Sequence, residues 1–167
     1  AVFARTGIPA SANALLLVNR DAETVDSSRY VRTGERAQRF DDRSDSTFTL
    51  TNETPFSPGI EARYDAITSH DHAVLRTSAR LWIGDSISQP PALVMSFQHG
   101  GGSYCYRTTT WQFPANTHNQ WVTAKLDYIT PEVRAVSDTL KVYVWNQHGG
   151  THRIDDLRME ILERKAN

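Results

Sequence analysis

The stretch that decides the fold runs Asp138-Thr-Leu-Lys-Val-Tyr-Val-Trp-Asn-Gln-His-Gly-Gly-Thr-His-Arg-Ile-Asp-Asp-Leu-Arg-Met-Glu-Ile-Leu162. Its first half alternates strictly, which places Leu140, Val142 and Val144 on one face of an extended chain. Tyr143 and Trp145 then lie on the opposite face. This period of two predicts a half-buried β-strand with a large apolar core side and an aromatic outer side.

A second run follows the His-Gly-Gly segment of the same stretch. It passes through the paired carboxylates Asp155 and Asp156 and then places Leu157, Met159 and Ile161 at every second position. Two alternating runs joined by a glycine turn are typical of a β-hairpin. We therefore expect the two runs to pair with each other as the closing hairpin of the fold.

Further β-rich runs precede this stretch and are separated by Gly, Pro and Asn/Asp turns. They cover residues 46–51, 60–67, 74–83, 92–97, 103–111 and 121–126. A helical pattern is limited to one short turn around 131–136. Eight to ten such strands predict an all-β sandwich. We expect one domain over residues 14–163, with a loose arm at 1–13 and a short tail at 164–167.

Composition excludes several classes of partner. The 167 residues carry 18 basic and 19 acidic side chains, a net charge of −1, without the basic excess typical of nucleic-acid binding. No apolar run approaches the roughly 20 residues needed to span a bilayer. Cys105 is the one cysteine, so no internal disulfide can form, and we interpret it as a small buried side chain.

The order of several landmarks gives a family resemblance over residues 15–162. The landmarks are Asn19-x-Asp21-x-Glu23, Gly34, the runs 74–83 and 92–97, Trp121-x-x-x-Lys-Leu, and the final stretch with its Asp155-Asp156-Leu. In this order the chain resembles the galactose-binding-like jelly-roll domains of bacterial carbohydrate-binding modules and related cell-surface proteins. The resemblance implies a jelly-roll β-sandwich of two antiparallel sheets.

The resemblance also implies a structural calcium ion. Members of this group often carry one that ties the N-terminal segment to the last strand. Carried over, its ligands would come from Asn19, Asp21 and Glu23, together with Asp155 or Asp156. Such oxygen donors suit Ca²⁺. The alternative is that the two aspartates end a turn and accept hydrogen bonds from local amides.

Sugar binding in such domains uses flat aromatic rings with polar side chains at the rim. The candidate rings are Trp82, Tyr104, Tyr106, Trp111, Tyr143 and Trp145. Their polar neighbours are Arg107, Gln98, His99, Asn146 and Gln147. Within each run, the period of two puts Tyr104 with Tyr106 and Tyr143 with Trp145. The alternative for each ring is packing in the core of the sandwich.

Catalytic signatures are missing from the sequence. It contains no Gly-x-Ser-x-Gly elbow, Walker loop, dinucleotide fingerprint or Cys-x-x-Cys pair. His70-Asp71-His72 offers two imidazoles with metal-ligand chemistry, but the spacing supplies no third ligand. A glycine-rich turn at 98–103 is a further candidate that needs no ligand to explain it.

Three functions remain open at this level. The first is a non-catalytic glycan-binding module of a larger exported bacterial protein that is secreted, periplasmic or on the cell surface. The second is a structural or adhesive sandwich without a small ligand, and the third is a hydrolase or lyase on the same scaffold. The first has the support of the resemblance, and fold alone does not decide among them.

Overall fold

The computed structural model describes residues 27–38, 40, 47–85, 89–130 and 134–166. Within these residues, nine strands follow one another in chain order. They are β1 (Tyr30–Gln38), β2 (Phe48–Leu50), β3 (Ile60–Arg63), β4 (Val74–Ile83), β5 (Ala92–His99), β6 (Gly102–Thr110), β7 (Gln120–Ile129), β8 (Thr139–Trp145) and β9 (His152–Arg164). A 3-10 turn at Ser27–Arg29 precedes β1, and a one-turn helix, α1 (Tyr64–Ile67), follows β3. The predicted arm at 1–13 lies outside the described residues.

The strands form two antiparallel sheets. The five-stranded sheet has the order β1-β9-β4-β7, with β2 also paired to β9, and the four-stranded sheet has the order β3-β8-β5-β6. The chain therefore passes from one sheet to the other at nearly every connection, and β5 and β6 are the consecutive strands that pair directly. This interleaved order is that of a jelly roll. The predicted fold class is confirmed.

The predicted closing hairpin is wrong. β8 pairs with β3 and β5 in one sheet, whereas β9 pairs with β1, β2 and β4 in the other. The segment between them, residues 146–151, crosses between the sheets with Gly149 and Gly150 at φ of 81° and 86°. Alternation identifies a strand and its buried face, but it does not identify the strand's partner. Here each strand turns its apolar side toward the opposite sheet.

The core lies between the inner faces of the two sheets. Leu140, Val142 and Val144 of β8 have no exposed surface, as the alternation predicts. Leu157 and Met159 of β9 are equally buried and belong to the same hydrophobic cluster. Because these inner faces fill the core, the aromatic side chains of β8 must lie on the outer surface.

A short helix after β3 was not predicted, whereas the glycine turn before β6 was. Within the β-rich run 60–67, the strand ends at Arg63, and the last four residues form α1. The glycine turn before β6 is confirmed as a hairpin, with Gly100 and Gly101 at φ of 57° and 86°. Such positive φ values favour glycine because they strain residues that carry a Cβ. The hairpin fixes β6 beside β5, at the edge of the four-stranded sheet.

Candidate functional site

Large aromatic side chains cluster on both outer surfaces of the sandwich. On the four-stranded sheet the cluster consists of Phe56, Tyr106, Tyr143 and Trp145, and we call this surface the aromatic face. The outer surface of the five-stranded sheet carries Trp82 and Trp121 among ion-paired residues, and we call it the charged face. Of the candidate rings, Trp82 therefore lies on the charged face, and Tyr106, Tyr143 and Trp145 lie on the aromatic face.

Three rings of the aromatic face are in mutual contact. Trp145 and Phe56 are stacked, with centroids 6.1 Å apart and planes 12° apart. Tyr143 meets Phe56 edge to face at 5.9 Å. Phe56 is held there by its β-bridge to Trp145. It remains 54% exposed, which is unusual for so large an apolar ring.

Tyr106 approaches the same surface from β6, on the other side of β5. The outward positions of β5 between the two flanking strands are Val94 and Ser96, which lie opposite Tyr143 and Tyr106 respectively. Both are small and both are fully or almost fully buried, because taller side chains of β6 and β8 surround them. Two strand spacings separate β6 from β8, or about 10 Å. The rings therefore flank a strip of small side chains along β5.

Charges on this face are paired with each other. Lys141 lies 3.3 Å from Glu61 across the β8–β3 pair, and Arg63 lies 2.6 Å from Asp65. Burial raises the pKa of both Tyr106 and Tyr143, so their hydroxyl groups stay protonated well into the alkaline range. The aromatic face is consequently close to neutral.

On the charged face, ion pairs connect neighbouring strands. Arg76 donates two hydrogen bonds to the buried carboxylate of Asp127, at 3.0 and 2.8 Å. That bidentate contact raises the pKa of Arg76 further above its ordinary value. Arg80 lies 3.1 Å from Asp155 and 2.8 Å from Asp156. These contacts fasten β4 to both of its neighbours.

The tryptophans of the charged face are covered by cations. Trp82 and Trp121 meet edge to face at 5.5 Å. The guanidinium of Arg80 lies 4.8 Å from the Trp121 ring centroid, and that of Arg153 lies 5.8 Å from both rings. The ring faces already have cation–π partners, which is a structural use of the indole. Trp82, a predicted ligand-binding residue, is therefore separated from Tyr143 and Trp145.

Tyr104 does not join the aromatic face. Its hydroxyl donates to the carboxylate of Asp138 at 2.9 Å, and Arg134 stacks over its ring at 4.8 Å. Burial raises the pKa of Tyr104, and the hydrogen bond to Asp138 raises it further. Arg107 also points away, since it follows Tyr106 directly along β6 and its guanidinium lies 5.1 Å from the ring of the core residue Tyr128.

Asp138 forms the centre of a buried polar cluster at one end of the four-stranded sheet. Besides Tyr104, it accepts hydrogen bonds from His99 Nδ1 at 2.6 Å and from the backbone amides of Arg134 and Ala135 at 3.1 Å. Burial by itself would raise its pKa, but these donors outweigh burial and hold the pKa below its ordinary value. A His–Asp pair suits acid–base chemistry, but the Asp138 carboxylate accepts four hydrogen bonds that connect β5, β6 and the segment before β8.

The predicted calcium ligands are only partly described. Asn19, Asp21 and Glu23 lie outside the described residues. Asp155 and Asp156 contact Arg80, and their other oxygens accept from the amide of Asp156 at 2.8 Å and lie 3.8 Å from Arg158. Three of the four carboxylate oxygens thus have a partner within about 3 Å, and Oδ1 of Asp156 has only the longer contact with Arg158. Calcium binding stays a prediction.

The two histidines singled out by the sequence have separate partners. His70 Nε2 lies 2.8 Å from Glu163, and His72 Nδ1 lies 2.8 Å from the carbonyl of Thr130. Among the described residues, no three side chains of His, Cys, Asp or Glu converge as a metal site. Within the same part of the chain, no helix is both long and apolar enough to cross a bilayer.

Sequence reasoning missed Phe56, the most exposed ring of the aromatic face. It stands between Pro55 and Pro58, outside any alternating run, and it was not among the candidate rings. A large aromatic residue in a proline-flanked segment was the available signal, because such a segment cannot continue deep into a sheet. Glu61 was missed for a different reason, since a single polar residue on an edge strand has no pattern.

Some solved structures resemble this chain at low sequence identity. No protein-family model and no curated protein matches the sequence. Similar solved structures include the arabinose-bound α-L-arabinofuranosidase MgGH51, at 13% identity and a TM-score of 0.42 over 81% of this chain and 23% of that one. The CBM22-1 xylan-binding domain of Paenibacillus barcinonensis Xyn10C aligns at 14% identity and a TM-score of 0.41, over 83% and 87%.

A further similar structure contains the CBM22-1 and GH10 modules of the Clostridium thermocellum endo-1,4-β-D-xylanase 10B in complex with xylohexaose. It aligns at 13% identity and a TM-score of 0.38, over 89% of this chain and 27% of that one. The chain thus spans about a quarter of the arabinofuranosidase and of the two-module xylanase. The jelly-roll fold of this chain is defined by its own strand order.

Proposed function

We propose that this domain is a non-catalytic carbohydrate-binding module whose aromatic face binds a neutral polysaccharide. The observation that carries the proposal is the placement of four rings, from three separate segments of the chain, on the outside of one sheet. Phe56 is 54% exposed and Tyr106 is 43% exposed. Aromatic rings left open to solvent on a folded domain mark an interaction surface.

The chemistry of these rings suits sugars. A pyranose ring has apolar faces formed by its C–H groups and a rim of hydroxyls. Flat rings can bury those faces, while the tyrosine hydroxyls and nearby polar groups serve the rim. In the part of the chain that the structure describes, no arginine or lysine stacks on these four rings, in contrast to Trp82, Trp121, Tyr104 and Tyr128. Phe56 and Trp145 cover one face of each other, and the exposed surfaces of Phe56 and Tyr106 remain open to a ligand.

The paired charges of the aromatic face favour a neutral ligand over an anionic one. The ionised groups beside the rings neutralise each other in the pairs Glu61–Lys141 and Arg63–Asp65. An anionic polysaccharide would gain no unpaired cation here, and binding it would require one of these pairs to break. A neutral glycan meets no such cost. We also propose the context that the sequence resemblance implies: the domain is one module of a larger exported bacterial protein.

The experiment compares one tryptophan from each face. Binding to a panel of soluble neutral polysaccharides is measured by isothermal titration calorimetry for the wild type, Trp145→Ala and Trp82→Ala. We expect Trp145→Ala to weaken binding at least about tenfold, as for a central aromatic contact, and Trp82→Ala to leave affinity unchanged. Circular dichroism and melting temperature establish that both variants fold.

Two results would refute the proposal. The first is an absence of binding to every polysaccharide of the panel by the folded wild type. The second is an equal loss of affinity in both variants, because the two tryptophans lie on opposite surfaces and share no ligand contact.

A further inference from the structure

A pocket of about 330 Å³ opens beside the aromatic face, toward the edge strand β3. Phe56 and Tyr143 line it and so belong to both the pocket and the aromatic face. Gly59 forms part of its wall, where a Cβ would lie 2.3 Å from the carbonyl oxygen of Val142. That position therefore requires glycine, and the wall is bare backbone.

The size of the pocket limits its occupant. Small-molecule pockets in proteins range from about 300 to 1,000 Å³, and this one is at the lower end. It has room for one sugar-sized group and not for several consecutive residues of a polymer. The strip along β5, between Tyr106 and Tyr143, offers the longer surface.

Polar groups complete the pocket. Glu61 Oε2 and Lys141 Nζ lie 3.3 Å apart, with side chains 61% and 40% exposed, and the amide side chain of Gln98 joins them. A carboxylate accepts hydrogen bonds, an ammonium group donates them, and an amide does both. Adjacent hydroxyls of one sugar can donate to Glu61 and accept from Lys141 without separating the pair. The pair has no net charge, so a neutral sugar suits it better than a uronic acid.

We infer that this pocket binds a single neutral sugar that branches from the polysaccharide backbone on the aromatic face. The inference rests on the proposed function and names its substrate class, a branched neutral polysaccharide. A linear chain across Tyr106, Tyr143 and Trp145 would not extend to Glu61, because Glu61 lies beyond β8 on the edge strand β3. A branch brings one sugar to the shared walls, Phe56 and Tyr143.

The test uses matched pairs of oligosaccharides that differ only in their branches. The probes are β-1,4-glucan with and without xylosyl branches, β-1,4-mannan with and without galactosyl branches, and β-1,4-xylan with and without arabinosyl branches. For at least one pair, we expect the branched probe to bind the wild type about fivefold or more tightly than the linear probe. Glu61→Gln, a change on an exposed side chain, is expected to remove that preference while affinity for the linear probe stays the same.

The results distinguish a failure of the branch pocket from a failure of the proposed function. Equal binding of linear and branched probes in all pairs, or an equal loss for both probes in Glu61→Gln, overturns the branch pocket and leaves the aromatic face as the binding surface. Trp145→Ala serves as the matched control, since it should weaken both probes of a pair. If no probe binds the folded wild type, the proposed function itself fails, and the branch pocket fails with it.

Discussion

On the charged face, Trp82 and Trp121 lie under the guanidinium groups of Arg80 and Arg153, whereas on the aromatic face Phe56 stacks on Trp145 with no cation above either ring among the described residues. Both pairs are aromatic contacts on the outside of a sheet. They differ in what surrounds them. Where ring faces and carboxylates are paired with arginines of the same domain, the contacts serve stability. Where ring surface stays exposed without such a partner, as in Phe56 and Tyr106, it is available to a ligand.

The largest effect that tests this contrast is expected at Asp127. Arg76 on β4 lies opposite Asp127 on β7, and Asp127→Ala leaves the guanidinium of Arg76 without its bidentate acceptor. Breaking a buried ion pair costs about 3–5 kcal/mol, but Arg76 keeps 32% of its side chain exposed, so we expect a loss of about 2 kcal/mol in the free energy of unfolding. Urea denaturation at pH 7 measures it.

The matched control is Thr123→Ala, an exposed change on the same strand and the same face, with an expected effect of at most about 0.5 kcal/mol. Glycan affinity should be the same in both variants and in the wild type. A weakened affinity in Asp127→Ala at full folding would show that the charged face also takes part in binding, and the contrast between the faces would not hold.

The second largest effect is expected on the pH dependence of stability, through the buried polar cluster around Asp138. In the fold, hydrogen bonds to Asp138 lower its pKa below the ordinary value of 3.8, so the unfolded state binds this proton more readily. The resulting stability is present above pH 3.8 and is lost as the pH falls through the lower, folded pKa. We expect Asp138→Asn to be less stable than the wild type at pH 7 and to lose less stability on acidification below about pH 4.

Urea unfolding at a series of pH values between neutral and strongly acidic tests this expectation. Tyr104→Phe is the intermediate case, because it removes one of the donors that lower the pKa of Asp138 and keeps the carboxylate, so its pH dependence should lie between those of the wild type and Asp138→Asn. Parallel pH profiles for the wild type and Asp138→Asn would be evidence that Asp138 does not contribute in this way.

The smallest effect is expected for calcium. If the cation predicted from the family resemblance binds at Asp155 and Asp156, it must compete with Arg80 for their oxygens. We therefore expect 1 mM calcium, added after EDTA treatment, to raise the melting temperature of Arg80→Ala by more than that of the wild type. Differential scanning fluorimetry measures both, and magnesium serves as the control ion. No response in either protein would rule out a calcium site at these residues.

Much of the fold follows from local sequence patterns. The run Val74–Ile83 was predicted with the bounds that the structure has, because alternation over ten residues distinguishes a strand from a helix. The inner face of β8 was predicted for the same reason. The partner of β8 was not, since pairing across the sandwich depends on contacts between residues far apart in the chain.

The candidate site was predicted only in part. Tyr143, Trp145 and Tyr106 do share one outer surface. Trp82 is on the opposite surface, and Tyr104 and Arg107 are used by Asp138 and Tyr128. A sequence gives the side of a strand on which a ring lies, but it does not show which polar group or cation will meet that ring.

By itself, the sequence determined the all-β class, the strands and the residues that fill the core, because the period of two and the burial of apolar side chains act within single strands. Only the tertiary structure decided that β8 and β9 lie in different sheets and that Phe56 joins Trp145. It also decided which aromatic rings are covered by arginine and which are left open. The physical reason is that pairing, stacking and charge neutralisation depend on neighbours brought together by the fold, and these neighbours are distant in the chain.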